Sequence, residues 1–132
     1  MQALVIHARR TGYGVIRSLH KLGVEVIIAD DQVTPVFKSN KISASHLLPD
    51  ITSVPDDEFI SRLLSIAEQH ARNGKILVFT GRDDYLLFFS KYYERLAEYY
   101  ELSFESDYAR LREVIGKKGI ARIADAAGVL IP

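Results

Sequence analysis

Ala3-Leu-Val-Ile-His7, then Ala8-Arg-Arg-Thr-Gly-Tyr-Gly14 and, after a helical stretch, Glu25-Val-Ile-Ile-Ala-Asp30 together decide the fold. Both apolar runs are short, β-branched and free of polar alternation, as expected for strands covered by helices on both faces of a parallel sheet. Between them Val15, Ile16, Leu19 and Leu22 recur at helical spacing, and Gly23 supplies a C-terminal stop. The result is a β-α-β unit, whose crossover is right-handed.

The same alternation of strand and helix continues downstream. Gln32 to Pro55 is irregular, with three prolines and one short strand signal at Ser45-His-Leu-Leu48. Pro55-Asp-Asp-Glu opens a helix with acidic residues in its first turn, where the helix dipole favours them. Phe59, Ile60, Leu63, Leu64 and Ala67 form its apolar face, and Asn73-Gly74 closes it. Lys75-Ile-Leu-Val-Phe79 reads as the next buried strand. It runs through Thr80-Gly-Arg-Asp-Asp84 into a predicted long helix from Tyr85 to Tyr100, aromatic around most of its circumference and so in need of cover on more than one side. Two short amphipathic helices follow, one through Tyr108, Leu111, Val114 and Ile115, the other through Ile120, Ile123, Ala124 and Ala127. The predicted fold class is α/β, a Rossmann-like three-layer sandwich with a short, mostly parallel sheet flanked by helices.

Bulk properties narrow the functional classes. The chain has 132 residues, 48% of them hydrophobic, enough for a core of its own. Its 17 basic and 17 acidic residues cancel without forming blocks, which argues against nucleic acid or a membrane surface as partner. The absence of cysteine excludes disulfides, thiolate metal sites and a cysteine nucleophile. No apolar run approaches the roughly 20 residues of a membrane span, and the N-terminal run is followed at once by Arg9 and Arg10 rather than by a cleavage site. The expected location is cytoplasmic.

In an open parallel sheet, ligands bind beyond the carboxyl ends of the strands. Three segments fall there. Arg10, Thr11, Gly12, Tyr13 and Gly14 form a loop whose glycines allow close backbone approach and whose following helix offers free N–H groups to an anion. It is not a dinucleotide fingerprint, because the third glycine position is Arg17, too large for close helix packing. Asp30-Asp31, at the end of the second strand, offers an acid, Asp30, that can accept hydrogen bonds from a ribose, an amine or an amide; alternatively these carboxylates solvate the loop. Thr80, Gly81, Arg82 and Asp83 combine a hydroxyl, a flexible backbone, a guanidinium able to hold a carboxylate and an acid at a helix start, where capping is the simpler role. The four histidines lack the spacing of a helical metal site, and no catalytic residue and no metal ligand is assigned.

Several strings resemble the N-terminal, pre-ATP-grasp region of ATP-grasp enzymes, especially carboxylate–amine ligases. They are Thr11-Gly-Tyr-Gly14 with its helix ending at Leu22-Gly23; Val26-Ile-Ile-Ala-Asp30; Val78-Phe-Thr-Gly-Arg-Asp-Asp-Tyr-Leu-Leu-Phe88; and the ending Gly116-Lys-Lys-Gly-Ile-Ala-Arg-Ile-Ala-Asp-Ala-Ala-Gly-Val-Leu-Ile-Pro132. The resemblance implies a Rossmann-like domain over residues 1–115 and the start of the ATP-grasp region over 116–132, with Lys117 as a nucleotide-binding residue and Lys118 as its neighbouring alternative. It departs from the family at Gly81-Arg82, where an anionic substrate is suggested.

The resemblance further implies a module that binds a small carboxylate or amine substrate and is inactive alone. No cofactor is assigned to this chain, whereas ATP and Mg2+ belong to the full-length enzymes. The expected partners are the missing ATP-grasp lobes or a second copy in a homodimer, which would cover the aromatic helix. The alternative is a stand-alone nucleotide- or metabolite-binding regulatory domain of the same fold.

Overall fold

A computed structural model describes residues 1–72, 74–103, 107–115 and 126–128, and within α1 it leaves the Thr11 side chain aside. The elements are β1 (Gln2–Ile6), α1 (Arg10–Lys21), β2 (Glu25–Asp30), a 3₁₀ turn (Pro35–Lys38), β3 (Ala44–Leu47), α2 (Asp56–His70), β4 (Ile76–Thr80), α3 (Asp83–Lys91), α4 (Tyr93–Leu96), β5 (Tyr100–Leu102) and α5 (Tyr108–Ile115). The sheet order is β3-β2-β1-β4-β5 and every pairing is parallel. This is the predicted α/β Rossmann-like class. Leu4 of central β1 sits between Ile27 and Val78, so the first apolar run is buried from both sides within the sheet plane as well as from both faces.

Alternate residues of each strand feed two cores, as the period of two requires. Leu4, Ile6, Ile27 and Val78 pack with Phe59, Ile60 and Leu63 of α2 and with Tyr85 and Phe89 of α3. Val5, Val26 and Ile28 pack on the opposite face with Ile16 of α1 and Val36 of the 3₁₀ turn. The second core is smaller because a single 3₁₀ turn stands between β2 and β3, where a doubly wound fold of this order commonly has a full helix. That face is consequently open between α1 and residues 34–41.

The predicted long helix from Tyr85 to Tyr100 is three elements. Helix α3 stops at Lys91, α4 adds one turn, and Tyr100 begins β5, with Ile76 opposite Tyr100 and Val78 opposite Leu102. Two demands favour the break. Edge backbone groups of β4 gain partners, and Tyr100 becomes wholly buried, with its hydroxyl donating to the Leu63 carbonyl at 2.5 Å. Phe88, Phe89, Leu96 and Tyr100 are therefore covered within the chain, and α5 packs on α3. The bare aromatic helix expected to need an outside partner is not present among these described residues.

The first glycine-containing segment is also reassigned, because α1 starts at Arg10 and Gly12 and Gly14 lie within it rather than in a loop. The chain turns directly after β1 through His7, whose φ of +60° is left-handed. This lets the Arg9 N–H reach the His7 carbonyl, and the Tyr13 N–H then closes the first helical turn on Arg9. No helix among the described residues is long and apolar enough to cross a membrane.

Candidate functional site

The carboxyl ends of β2, β1 and β4 bring Asp30, His7 and Thr80 to one crest of the sheet, where the strand order switches direction between β1 and β4. Each side of this switch point carries one arginine clamped by two carboxylates. On the β2 side, Arg9 donates from Nη2 and Nε to Asp30 at 2.8 and 3.0 Å, and from Nη2 to Asp31 at 3.1 Å. Asp30 also accepts the Gln32 amide at 3.3 Å. Burial alone would raise the Asp30 carboxyl, but the Arg9 hydrogen bonds reverse that and hold it below the usual carboxylate range.

On the β4 side, Arg82 binds Asp84 through Nε at 3.0 Å and through Nη2, and binds Asp50 through Nη1 at 3.0 Å. Asp50 comes from the segment after β3, so the ion pair ties that segment across the crest. The Thr52 hydroxyl and amide, followed by Arg82, hold Asp50 well below the ordinary carboxylate range. The Arg82 guanidinium lies 4.9 Å from the Tyr85 ring centre, and burial pushes the Tyr85 phenol up to about 12. The His7 ring is 6.3 Å from the same tyrosine. A continuous row of polar groups thus joins Asp31 and Asp30, through His7 and Tyr85, to Arg82, Asp84 and Asp50.

The sequence-predicted residues divide into five groups. Asp30, Thr80 and Arg82 are at the crest but engaged internally, with Thr80 Oγ1 accepting the Arg82 amide at 3.3 Å. Three of the five Arg82 N–H donors are taken, two by Asp84 and one by Asp50. Gly81 has open space around it, and Asp83 is exposed in the first turn of α3. Arg10 and Tyr13 line a cleft beside α1 that meets the crest row at Arg9. Gly12 serves packing, since a Cβ there would lie 3.1 Å from the Ala8 Cβ, while Gly14 faces open space. Arg17, expected to hinder packing, is exposed and Ile16 makes the core contact instead. The Thr11 side chain and Lys117 lie outside the described residues.

His7 and Asp50 were missed as site residues by sequence reading, whereas Asp31 belonged to the acidic pair read there. Asp50, in an irregular segment, carries no local signal. His7, Asp30 and Asp31 place ligand atoms within 4.8 Å of one another, the spacing of a metal site. The Arg9 guanidinium already sits on both carboxylates, which makes the cluster a poor match for a dication. Away from the crest, His46 of β3 and His70 of α2 approach to 2.7 Å between Nε2 atoms.

No protein-family model matches this chain, and no curated protein does. Among solved structures, an L-amino acid ligase from Bacillus licheniformis matches with a TM-score of 0.69 at 15% identity. The match covers 99% of this chain and 31% of that one, so the chain spans about a third of the protein it resembles. At this identity the likeness is one of fold.

Proposed function

We propose that this chain is the substrate-side module of an ATP-dependent ligase of the ATP-grasp type, and that its crest receives the amine partner of the ligation. The observation that carries the reading is the correspondence of 99% of the chain with part of an L-amino acid ligase. On this reading residues 1–115 form the module, residues 116–132 begin the ATP-binding region with Lys117 near the nucleotide, and ATP and Mg2+ are held by the remaining lobes. Those lobes supply the phosphoryl chemistry that activates a carboxylate.

The crest's charge supports the amine over the carboxylate. Each arginine is matched by two acids, so each cluster carries a net negative charge, and exposed Asp83 adds another. An ammonium group is drawn to such a surface, whereas a carboxylate approaching Arg82 would meet the repulsion of Asp50 and Asp84. His7, half-buried between the clusters, is placed to accept or donate a proton there.

The test is a pair of NMR titrations with ligands carrying one charge each, an amino acid amide and an N-acetyl amino acid. The amide is expected to shift the signals of His7, Asp31 and Asp83, and Asp31→Asn with Asp83→Asn to weaken it about tenfold. Preference for the N-acetyl compound would reverse the assignment. For the ligase reading itself, the natural protein carrying this chain should convert ATP to ADP and phosphate when offered ATP, amine and carboxylate together; amine binding without any such turnover would leave a binding domain and remove the ligase.

A further inference from the structure

The cleft beside α1 meets the crest at Arg9 but does not depend on the ligase reading. It has a volume of about 890 Å3 and lies between the first turn of α1 and residues 34–40. That volume falls within the range of roughly 300–1,000 Å3 typical of small-molecule sites. Its wall joins three kinds of group. Ala8, Pro35 and Val36 with the exposed ring of Tyr13 are apolar; Arg10 and Lys38 are cationic; Thr34, Ser39 and Asn40 are neutral and polar.

No carboxylate lines the cleft. Arg9 at its edge is neutralised by Asp30 and Asp31, but neither Arg10 nor Lys38 has an ion-pair partner among the described residues. The adjoining groove along α1 adds Arg17, Lys21 and Lys41, again without a carboxylate. Residues 1–49 hold six Lys and Arg against three Asp and Glu, although the whole chain is neutral. Helix α1 has no acidic residue in its first turn and no side-chain cap. Unopposed cations at a helix N-terminus raise the energy of the empty site, and an anion lowers it. A second observation is independent of charge. Thr34 belongs to the cleft lining, and its hydroxyl is buried there without a hydrogen-bond partner.

We propose that this cleft binds a nucleoside monophosphate, with Arg10 and Lys38 on the phosphate and the base against Tyr13, Pro35 and Val36. A free inorganic anion would leave the apolar wall unused. A sugar phosphate would lack carboxylates to read its hydroxyls. A base supplies a flat apolar face for the wall and a polar edge for Asn40. The acid that reads ribose in dinucleotide folds corresponds to Asp30, and Arg9 occupies it, so AMP and its deoxy form should bind alike.

Titration of the chain with AMP, dAMP, adenosine and inorganic phosphate, followed by amide NMR and calorimetry, tests this. Saturable shifts are expected at Arg10, Tyr13, Ser39 and Asn40, with AMP and dAMP binding equally and each at least about tenfold tighter than adenosine or phosphate. Arg10→Glu or Lys38→Glu should weaken AMP about tenfold or more, Arg10→Gln less so, and Lys75→Glu, at the opposite end of the sheet, not at all. Thermal unfolding of each variant checks that the fold is kept. The proposal is overturned if AMP produces no saturable change at millimolar concentration, or if phosphate alone binds as tightly. It is equally overturned if a short single-stranded oligonucleotide binds tighter than AMP through Arg17, Lys21 and Lys41, since the basic face would then be a nucleic-acid surface.

Discussion

Arg9 and Asp30 differ in what each leaves behind when the other is removed. The Asp30 side chain is 2% exposed and that of Arg9 41%. Arg9→Met therefore strands a buried carboxylate, at a cost of about 1–3 kcal/mol. Asp30→Asn leaves an arginine that can turn to water and should cost less. Urea denaturation at neutral pH measures both, and a larger loss for Asp30→Asn would mean that the pair is not held by burial of the acid. The two glycines of α1 form a second contrast. Gly14→Ala fills open space inside a helix and should stabilise by about 0.5–1 kcal/mol. Gly12→Ala has the same propensity gain, but its Cβ meets the buried Ala8 at 3.1 Å, so it should gain less or lose. In sequence the two glycines looked equivalent; their difference lies in which face of α1 meets β1, something periodicity shows only once the helix start is known.

The start of α1 and the end of α3 are where element-scale reading failed, for related reasons. Local pattern placed Gly12 and Gly14 in a loop and Tyr100 in a helix, yet the left-handed turn at His7 and the parallel pairing of β5 with β4 are tertiary choices. By contrast, β1, β2, β4 and α2 announce themselves because each carries a complete apolar pattern of its own. The link between β3 and α2 was invisible in sequence, since His46 and His70 stand 24 residues apart. Their Nε2 contact requires one nitrogen to donate and the other to accept. Burial, then the neighbouring His70, lowers the His46 pKa below its ordinary value. A histidine with a depressed folded pKa contributes stability that is complete above the unfolded value near 6.5 and is lost as pH falls through the folded value. The melting temperature should accordingly fall from pH 7.5 to pH 5, and His46→Gln should flatten that dependence. An unchanged slope in the variant would place the titrating group elsewhere.

At the scale of the whole molecule, the sheet order and the crest follow from the β-α-β pattern, which is why Asp30 and Thr80 to Asp83 were located from sequence. The distant partner was not, because Asp50 reaches Arg82 only after the segment following β3 has crossed the crest. That crossing makes the crest a joint between distant parts of the chain, and it has a pH signature. Asp50 and Asp30 both have folded pKa values below the unfolded value of about 3.9. Their contribution to stability is therefore present above about pH 4 and is lost as pH falls through the folded values, where the folded state must take up protons it resists. Asp50→Asn removes one of these groups and the anion facing Arg82, while its amide oxygen can still accept from Thr52. It should lower the urea midpoint at pH 7, and the gap between the two proteins should narrow as pH falls from about 4 toward 2. Urea titrations of both proteins across that range give the answer. A constant gap at every pH would show that the Asp50 charge does not hold the crest together, and that the segment after β3 is fixed by the packing of Leu48 and Ile51 into the larger core.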